Sequence, residues 1–177
     1  MTRSGFVQTI ALFVAIGLWL TPASANDRLA ALKVGRVAPG TMAAPFELKS
    51  LDGASVELAH LKGKVVVVNF WATWCGPCKE EMPAFERLRQ QLNPERFVFL
   101  TITTDLQREG IRQFLTNLHV QLPVLFDEDQ AVSQAYLVRA LPTTVFIDQQ
   151  GMLIGRAVGP RDWDAPNAVQ ALQSLMP

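Results

Sequence analysis

An α/β fold, with helices packed on a mixed sheet in one domain, follows from three features of the sequence. Short β-branched runs alternate with segments of helical period, and the runs are too brief to be helices. The last two runs are joined by a tight turn, which makes at least one strand pair antiparallel. The chain of 177 residues, 49% of them hydrophobic, is long enough to bury one substantial core without needing a second domain.

Residues 1–25 stand apart in composition. Arg3 supplies a positive start, Phe6 to Leu20 is largely apolar, and Ala23-Ser24-Ala25 offers the small residues that a signal peptidase accepts. The segment reads as a signal peptide whose cleavage after Ala25 leaves Asn26 first. The alternative is an uncleaved anchor, although the apolar run is shorter than the ~20 residues that span a bilayer comfortably. In both cases the bulk of the chain is exported, which makes a periplasmic location the expectation. Residues 26–44 carry Ala, Gly and Pro with little periodicity, so they are expected to form a flexible lead-in to a folded domain at 45–177.

Phe46-Glu47-Leu48 and Val56-Glu57-Leu58 alternate apolar and polar residues around Asp52-Gly53, which predicts a β-hairpin at one edge of the sheet. Val65 to Phe70 is apolar except for Asn69 and suits a central strand covered on both faces. Helical period follows from Cys75 to about Leu92, with Phe85, Leu88 and Leu92 on one face and Pro83 placed to kink the helix. Lys79, Glu80, Glu86 and Arg87 make this stretch of helix charged, a run of the kind that usually faces water, and Lys79 and Glu80 read as merely solvated. Further on come a strand from Phe97 to Thr101 or a little beyond, a helix from about Gln107 to Leu118, a strand from Pro123 to Phe126 and a short helix near Gln130 to Leu137. Strands Thr143 to Ile147 and Met152 to Val158 flank the turn Asp148-Gln149-Gln150-Gly151, and a helix from about Pro166 to Leu175 closes the chain.

Sixteen basic residues balance sixteen acidic ones, so no overall field draws the chain to nucleic acid or to an anionic membrane. The chemistry resides in Trp74-Cys75-Gly76-Pro77-Cys78, at the junction of a buried strand and a helix. Unpaired N–H groups and the positive end of the helix dipole stabilise a thiolate at the first cysteine, and the thiolate is the species that attacks a disulfide. Cys75 is therefore the expected nucleophile. Cys78, about one turn later and more buried, is the expected resolving thiol. Pro77 falls in the first helical turn, where a proline costs no hydrogen bond.

A structural zinc site would need four ligands, and beyond these two cysteines the chain has only His60 and His119, neither spaced as a partner pair. A purely structural disulfide closing so short a loop would restrict the unfolded chain very little. No metal or cofactor is expected, and the two histidines receive no catalytic role.

The run Val65-Val66-Val67-Val68-Asn69-Phe70-Trp71-Ala72-Thr73-Trp74-Cys75-Gly76-Pro77-Cys78-Lys79-Glu80-Glu81-Met82-Pro83 resembles the active-site segment of the thioredoxin superfamily, in its TlpA/ResA-like group of thiol-disulfide oxidoreductases. The likeness extends back to Ala44-Pro45-Phe46 and onward to Leu141-Pro142-Thr143-Thr144, and so covers nearly everything after residue 44. It implies a thioredoxin-like three-layer sandwich, with an N-terminal β-hairpin and a helix-strand insertion over Gln107 to Phe126.

The resemblance also implies roles. Pro142 would be a cis proline lying against the two cysteines, with the backbone before it, at Leu141, open to a substrate chain. Asn69 stands where cytosolic thioredoxins carry a buried acid, and an amide cannot take a proton at neutral pH. Glu81, one turn beyond Cys78, is the expected replacement and resembles the glutamate lining the active-site cavity of the group. Trp74, Gly76, Pro77 and Leu141 are the expected substrate contacts; Trp71 could serve there too or simply pack.

The Gly76-Pro77 dipeptide matches that of reducing thioredoxins. The resemblance therefore points to a monomeric reductase of oxidised protein substrates, apocytochrome c or copper-site cysteines, fed by a membrane electron donor of CcdA or DsbD type. A thiol oxidase or isomerase of the same fold, and a non-catalytic binding module using the Pro142 edge, are the alternatives.

Overall fold

The structure, a computed structural model, describes residues 28–176. The expected signal peptide at 1–25 lies outside the described residues.

The sheet has seven strands: β1 (Glu47–Ser50), β2 (Ser55–Glu57), β3 (Val65–Trp71), β4 (Phe97–Thr103), β5 (Val124–Phe126), β6 (Thr143–Ile147) and β7 (Leu153–Val158). Their order across the sheet is β2-β1-β5-β4-β3-β6-β7. The pairs β3/β4 and β4/β5 are parallel and the other pairs antiparallel, so the sheet is mixed, as the alternation of elements predicts. The hairpin forms one edge, with Gly53 at φ 86°, a backbone angle that favours glycine in the turn. Among the described residues three α-helices join strands, α1 (Gly76–Gln91), α2 (Ile111–Asn117) and α3 (Ala131–Ala135), and a fourth, α4 (Pro166–Gln173), follows β7.

Every residue of β3 is buried, because the alternating side chains of this central strand feed two cores. Val65, Val67 and Trp71 join Met82, Phe85 and Leu88 of α1, Ile111 and Leu115 of α2 and Leu172 of α4 on one face. Val66, Val68 and Phe70 join Phe46, Leu58, Val132 of α3 and Tyr136 on the other. Helices on both sides of the sheet make the three layers of a thioredoxin-like sandwich.

Two expectations need correction. The first concerns residues 28–44, which are docked rather than flexible. Leu29 is fully buried and Leu32 nearly so, in the core shared with α4. The same segment runs along the outer edge of β7, pairing Gly35 with Arg156 and Met42 with Met152, and the Tyr136 hydroxyl donates to the Ala44 carbonyl at 2.8 Å. Its sequence hides this because the docking uses a few apolar side chains and irregular backbone pairs, which have no period to detect. The folded unit therefore begins well before Pro45.

The second is Glu86, which is buried instead of solvated. Arg89 donates to both of its oxygens, Nη2 to Oε1 at 2.6 Å and Nε to Oε2 at 3.2 Å, and Gln90 adds a bond at 2.8 Å. Burial pushes this carboxyl up, but those bonds outweigh it and hold it below the ordinary glutamate value.

Helix bounds moved more than strand bounds. The helix expected from Gln107 starts only at Ile111, after a turn at Gly110, whereas β4 runs to Thr103, a little beyond Thr101 as expected.

Candidate active site

Helix α1 starts where β3 has delivered the chain to the end of the sheet. Cys75 is its N-cap residue, Pro77 lies in its first turn, and the Cys78 N–H donates to Cys75 Sγ at 3.2 Å. The two cysteines are joined as a disulfide with their Cα atoms 5.3 Å apart. The Cys78 N–H and the positive end of the α1 dipole thus face the first sulfur, the setting that favours a thiolate once the bridge is reduced.

The loop leading into the helix is tied down by Asp105, at the end of β4. Its carboxylate accepts from the Thr73 N–H at 2.8 Å, from the Thr73 hydroxyl at 2.9 Å and from the Thr103 hydroxyl at 2.7 Å. The Thr104 N–H also donates to the Trp71 carbonyl at 3.0 Å. Trp71 itself is fully buried and stacks on Phe114 at 5.2 Å, which assigns it to packing and not to the approach.

An open groove of about 1000 Å³ runs past Cys75. Trp74, Gly76, Pro77 and Leu141 all line it, together with Leu106 and Arg139. Trp74 is 72% exposed and Leu106 73%, so the groove offers two large apolar side chains beside the sulfur. The Leu141–Pro142 bond is cis, and the Pro142 carbonyl accepts from the Gly159 N–H at 2.9 Å. Of the eight residues expected at the site, five meet on this groove: Trp74, Cys75, Gly76, Pro77 and Leu141. Pro142, Cys78 and Glu81 are buried behind it.

Glu81 is 4% exposed, and its carboxylate is fully engaged. Asn69 Nδ2 donates to Oε1 at 2.8 Å, while Trp163 Nε1 at 2.9 Å and the Arg161 N–H at 3.1 Å donate to Oε2. Asn69 Nδ2 is also within 2.9 Å of the Thr144 hydroxyl. Burial pushes the Glu81 carboxyl above its ordinary value, opposed by the bonds from Trp163, Asn69 and Arg161 and by the Arg161 charge. The amide in β3 and the carboxylate in α1, read separately in the sequence, are therefore one hydrogen-bonded unit.

Sequence reasoning missed Trp163 and Arg161. Their signal was faint: an aromatic residue in a Gly-Pro-containing loop just before the last helix. Lys79 and Glu80 are exposed as expected, and Lys79 Nζ lies 5.7 Å from the Phe114 ring centre. Among the described residues, no three of His, Cys, Asp and Glu are gathered to hold a metal ion.

Residues 33–172 match the redoxin family. Among curated proteins, the chain is similar to thiol-disulfide oxidoreductase ResA of Halalkalibacterium halodurans, 33% identical over 115 residues that make up 65% of each protein, just under two thirds of that relative's length. It is also similar to thioredoxin-like protein YneN of Bacillus subtilis, 35% identical over 122 residues, 68% of this chain and 71% of YneN. Among solved structures, a thiol:disulfide interchange protein DsbE from Chlorobium tepidum superposes with a TM-score of 0.67 at 28% identity, covering 79% of this chain and 96% of that one.

Proposed function

The chain belongs to the redoxin family, among its ResA-type thiol-disulfide oxidoreductases, and from that premise we propose that it is an exported reductase of protein disulfides. One observation carries the reading: the sulfur that caps α1 borders an open groove of mixed polar and apolar lining, with Cys75 4% exposed, while its partner, Cys78, is fully buried and does not line the groove.

In the reduced protein the Cys75 thiolate attacks a substrate disulfide seated between Trp74 and Leu141. One substrate sulfur leaves as a thiolate and the other is held in a mixed disulfide with Cys75. Cys78 then loses its proton to Glu81 and attacks Cys75 Sγ, which releases the second substrate sulfur and forms the Cys75–Cys78 bridge. Two electrons pass from the dithiol to the substrate, and the proton held by Glu81 returns to the departing thiolate. Pro142 supports the wall against which the substrate backbone lies.

The raised proton affinity of Glu81 suits this exchange, because a base that works on a thiol is more effective when its own value lies nearer the working pH. Asn69 cannot take the proton, but it donates to the group that does.

Export rests on the character of residues 1–25, and an oxidising compartment requires a source of electrons, for which a membrane donor of CcdA or DsbD type is proposed. Apocytochrome c, whose haem-attachment cysteines must be free thiols, and copper-site proteins are the proposed substrates, met by a monomer.

The test is Cys78→Ala, in which attack still occurs and release does not. Mixed disulfides with exported cysteine-containing proteins should accumulate and be identifiable by mass spectrometry; no trapped species would overturn the reading. A redox titration against glutathione checks the direction. A potential near about −270 mV fits a reductase, and one near about −120 mV would make the protein an oxidase.

A further inference from the structure

Two of the three hydrogen bonds to the Glu81 carboxylate come from the loop between β7 and α4. This loop has no helix or strand of its own, so something else must fix its backbone. Trp163 is one anchor, fully buried and edge-on to Phe85 at 5.7 Å.

The other anchor is the Arg161 side chain. Its guanidinium faces five carbonyls: Nη1 shares its two hydrogens among Val158 at 3.1 Å, Gly159 at 3.1 Å and Pro160 at 2.9 Å, while Nε donates to Leu32 at 3.1 Å and Nη2 to Lys33 at 3.3 Å. Three of these bonds fold the loop back on itself. The other two cross to the N-terminal segment, which is held in turn by buried Leu29 and Leu32.

We infer that Arg161 is a positioning residue for Glu81: by gripping the carbonyls of Leu32 and Lys33 it holds the loop that presents the Arg161 N–H and the Trp163 indole to the carboxylate. The segment that follows the export leader is thereby coupled to the proton exchange at the cysteines. This rests on the reading of Glu81 as the base for Cys78.

Few other groups act on Glu81. Arg161 is the charge that reaches it through space, and Cys78 precedes it by one turn. Asn69 from β3 and Trp163 do not titrate in the working range. Loss of the Arg161 grip slackens one hydrogen bond and removes that charge, and both changes make the carboxylate easier to protonate.

The experiment uses the reduced full chain and 5,5′-dithiobis(2-nitrobenzoate), whose thiolate is coloured. Cys75 expels the first thiolate and Cys78 the second, so the slow phase measures the step that Glu81 serves. Its rate should rise with pH through the Glu81 midpoint. Glu81→Gln should abolish this limb. Arg161→Ala should move its midpoint up by about one pH unit, a tenfold change in proton affinity.

If the limb is lost in Glu81→Gln while the Arg161→Ala profile superimposes on the parent's, the positioning role is overturned and the role of Glu81 stands. If Glu81→Gln leaves the profile unchanged, the reading of Glu81 fails and the inference falls with it. A purely structural Arg161 would lower the Tm and leave the midpoint where it was. Should Arg161→Ala not fold, Arg161→Met takes its place, keeping the aliphatic length and dropping both the donors and the charge; an unmoved midpoint there also overturns the proposal.

Discussion

A pair of substitutions at the seam between β7 and the N-terminal segment tests the docking quantitatively. A Cβ placed on Gly155 would lie 2.4 Å from Val34 Cγ1 and 3.2 Å from Leu29 Cδ1. The first distance is far inside van der Waals contact, so Gly155→Ala must push the segment away or distort the strand, at a cost of about 1–3 kcal/mol. Val34→Ala alone removes two methyl groups from a half-buried side chain, worth about 1 kcal/mol at half of about 0.8 kcal/mol per buried carbon. Made together, the two changes fit: the new methyl enters the space that Val34 vacates, and alanine suits a strand interior better than glycine by about 0.5–1 kcal/mol. The double variant should therefore lie close to the parent, with a favourable coupling of about 2–4 kcal/mol. Urea unfolding reads this directly. At a slope of about 2 kcal/mol/M, Gly155→Ala should lower the midpoint by about 1 M and the added Val34→Ala should restore most of it. Penalties that simply add, within about 0.5 kcal/mol, would refute the claim that residues 28–35 pack on β7.

Glu81 makes a prediction for stability as well as rate. Its carboxyl is raised above the ordinary value of 4.5, so the native state holds the proton more tightly than the unfolded chain does. The associated stability is fully present below 4.5 and is lost as the pH rises through the raised native value. Glu81→Gln should flatten the Tm against pH curve in that window, since Gln can be accommodated by a flip of the Asn69 amide; an unchanged slope would count against the buried-carboxyl account. Trp74→Ala should leave stability within about 0.5 kcal/mol of the parent, because the ring is 72% exposed. With a disulfide-bridged peptide its kcat/KM should fall about tenfold, while reaction with glutathione disulfide should hardly change. Equal losses on both substrates would mean that Trp74 acts on Cys75 and not as a seat for the peptide.

Elements with a strong local signal were legible in the sequence. The all-apolar β3, the Asp52-Gly53 hairpin and the cysteine pair at a strand-helix junction each announce themselves by run length, turn chemistry or spacing. The five expected residues found on the groove lie in or beside short motifs; others that line it, such as Leu106 and Arg139, carried no such signal. What stayed hidden depends on contacts between distant parts of the chain. Trp163 and Arg161 reach Glu81 across 82 and 80 positions, and Arg161 reaches Leu32 across 129, separations at which no periodicity operates. Glu86 looked solvated because its partners, Arg89 and Gln90, shield it from within the same charged helix.

The course of residues 35–43 along β7 has a consequence for how copies of this chain meet. A sheet offers its unpaired rim as a template for a neighbour's strand, and here both rims are poor templates. The hairpin side ends in β2, a strand of only three residues. The opposite side is occupied by the chain's own leading stretch, bridged at Gly35 and Met42. Were that stretch clipped away, the six residues of β7 would be laid bare, and two copies could join their sheets edge to edge through β7.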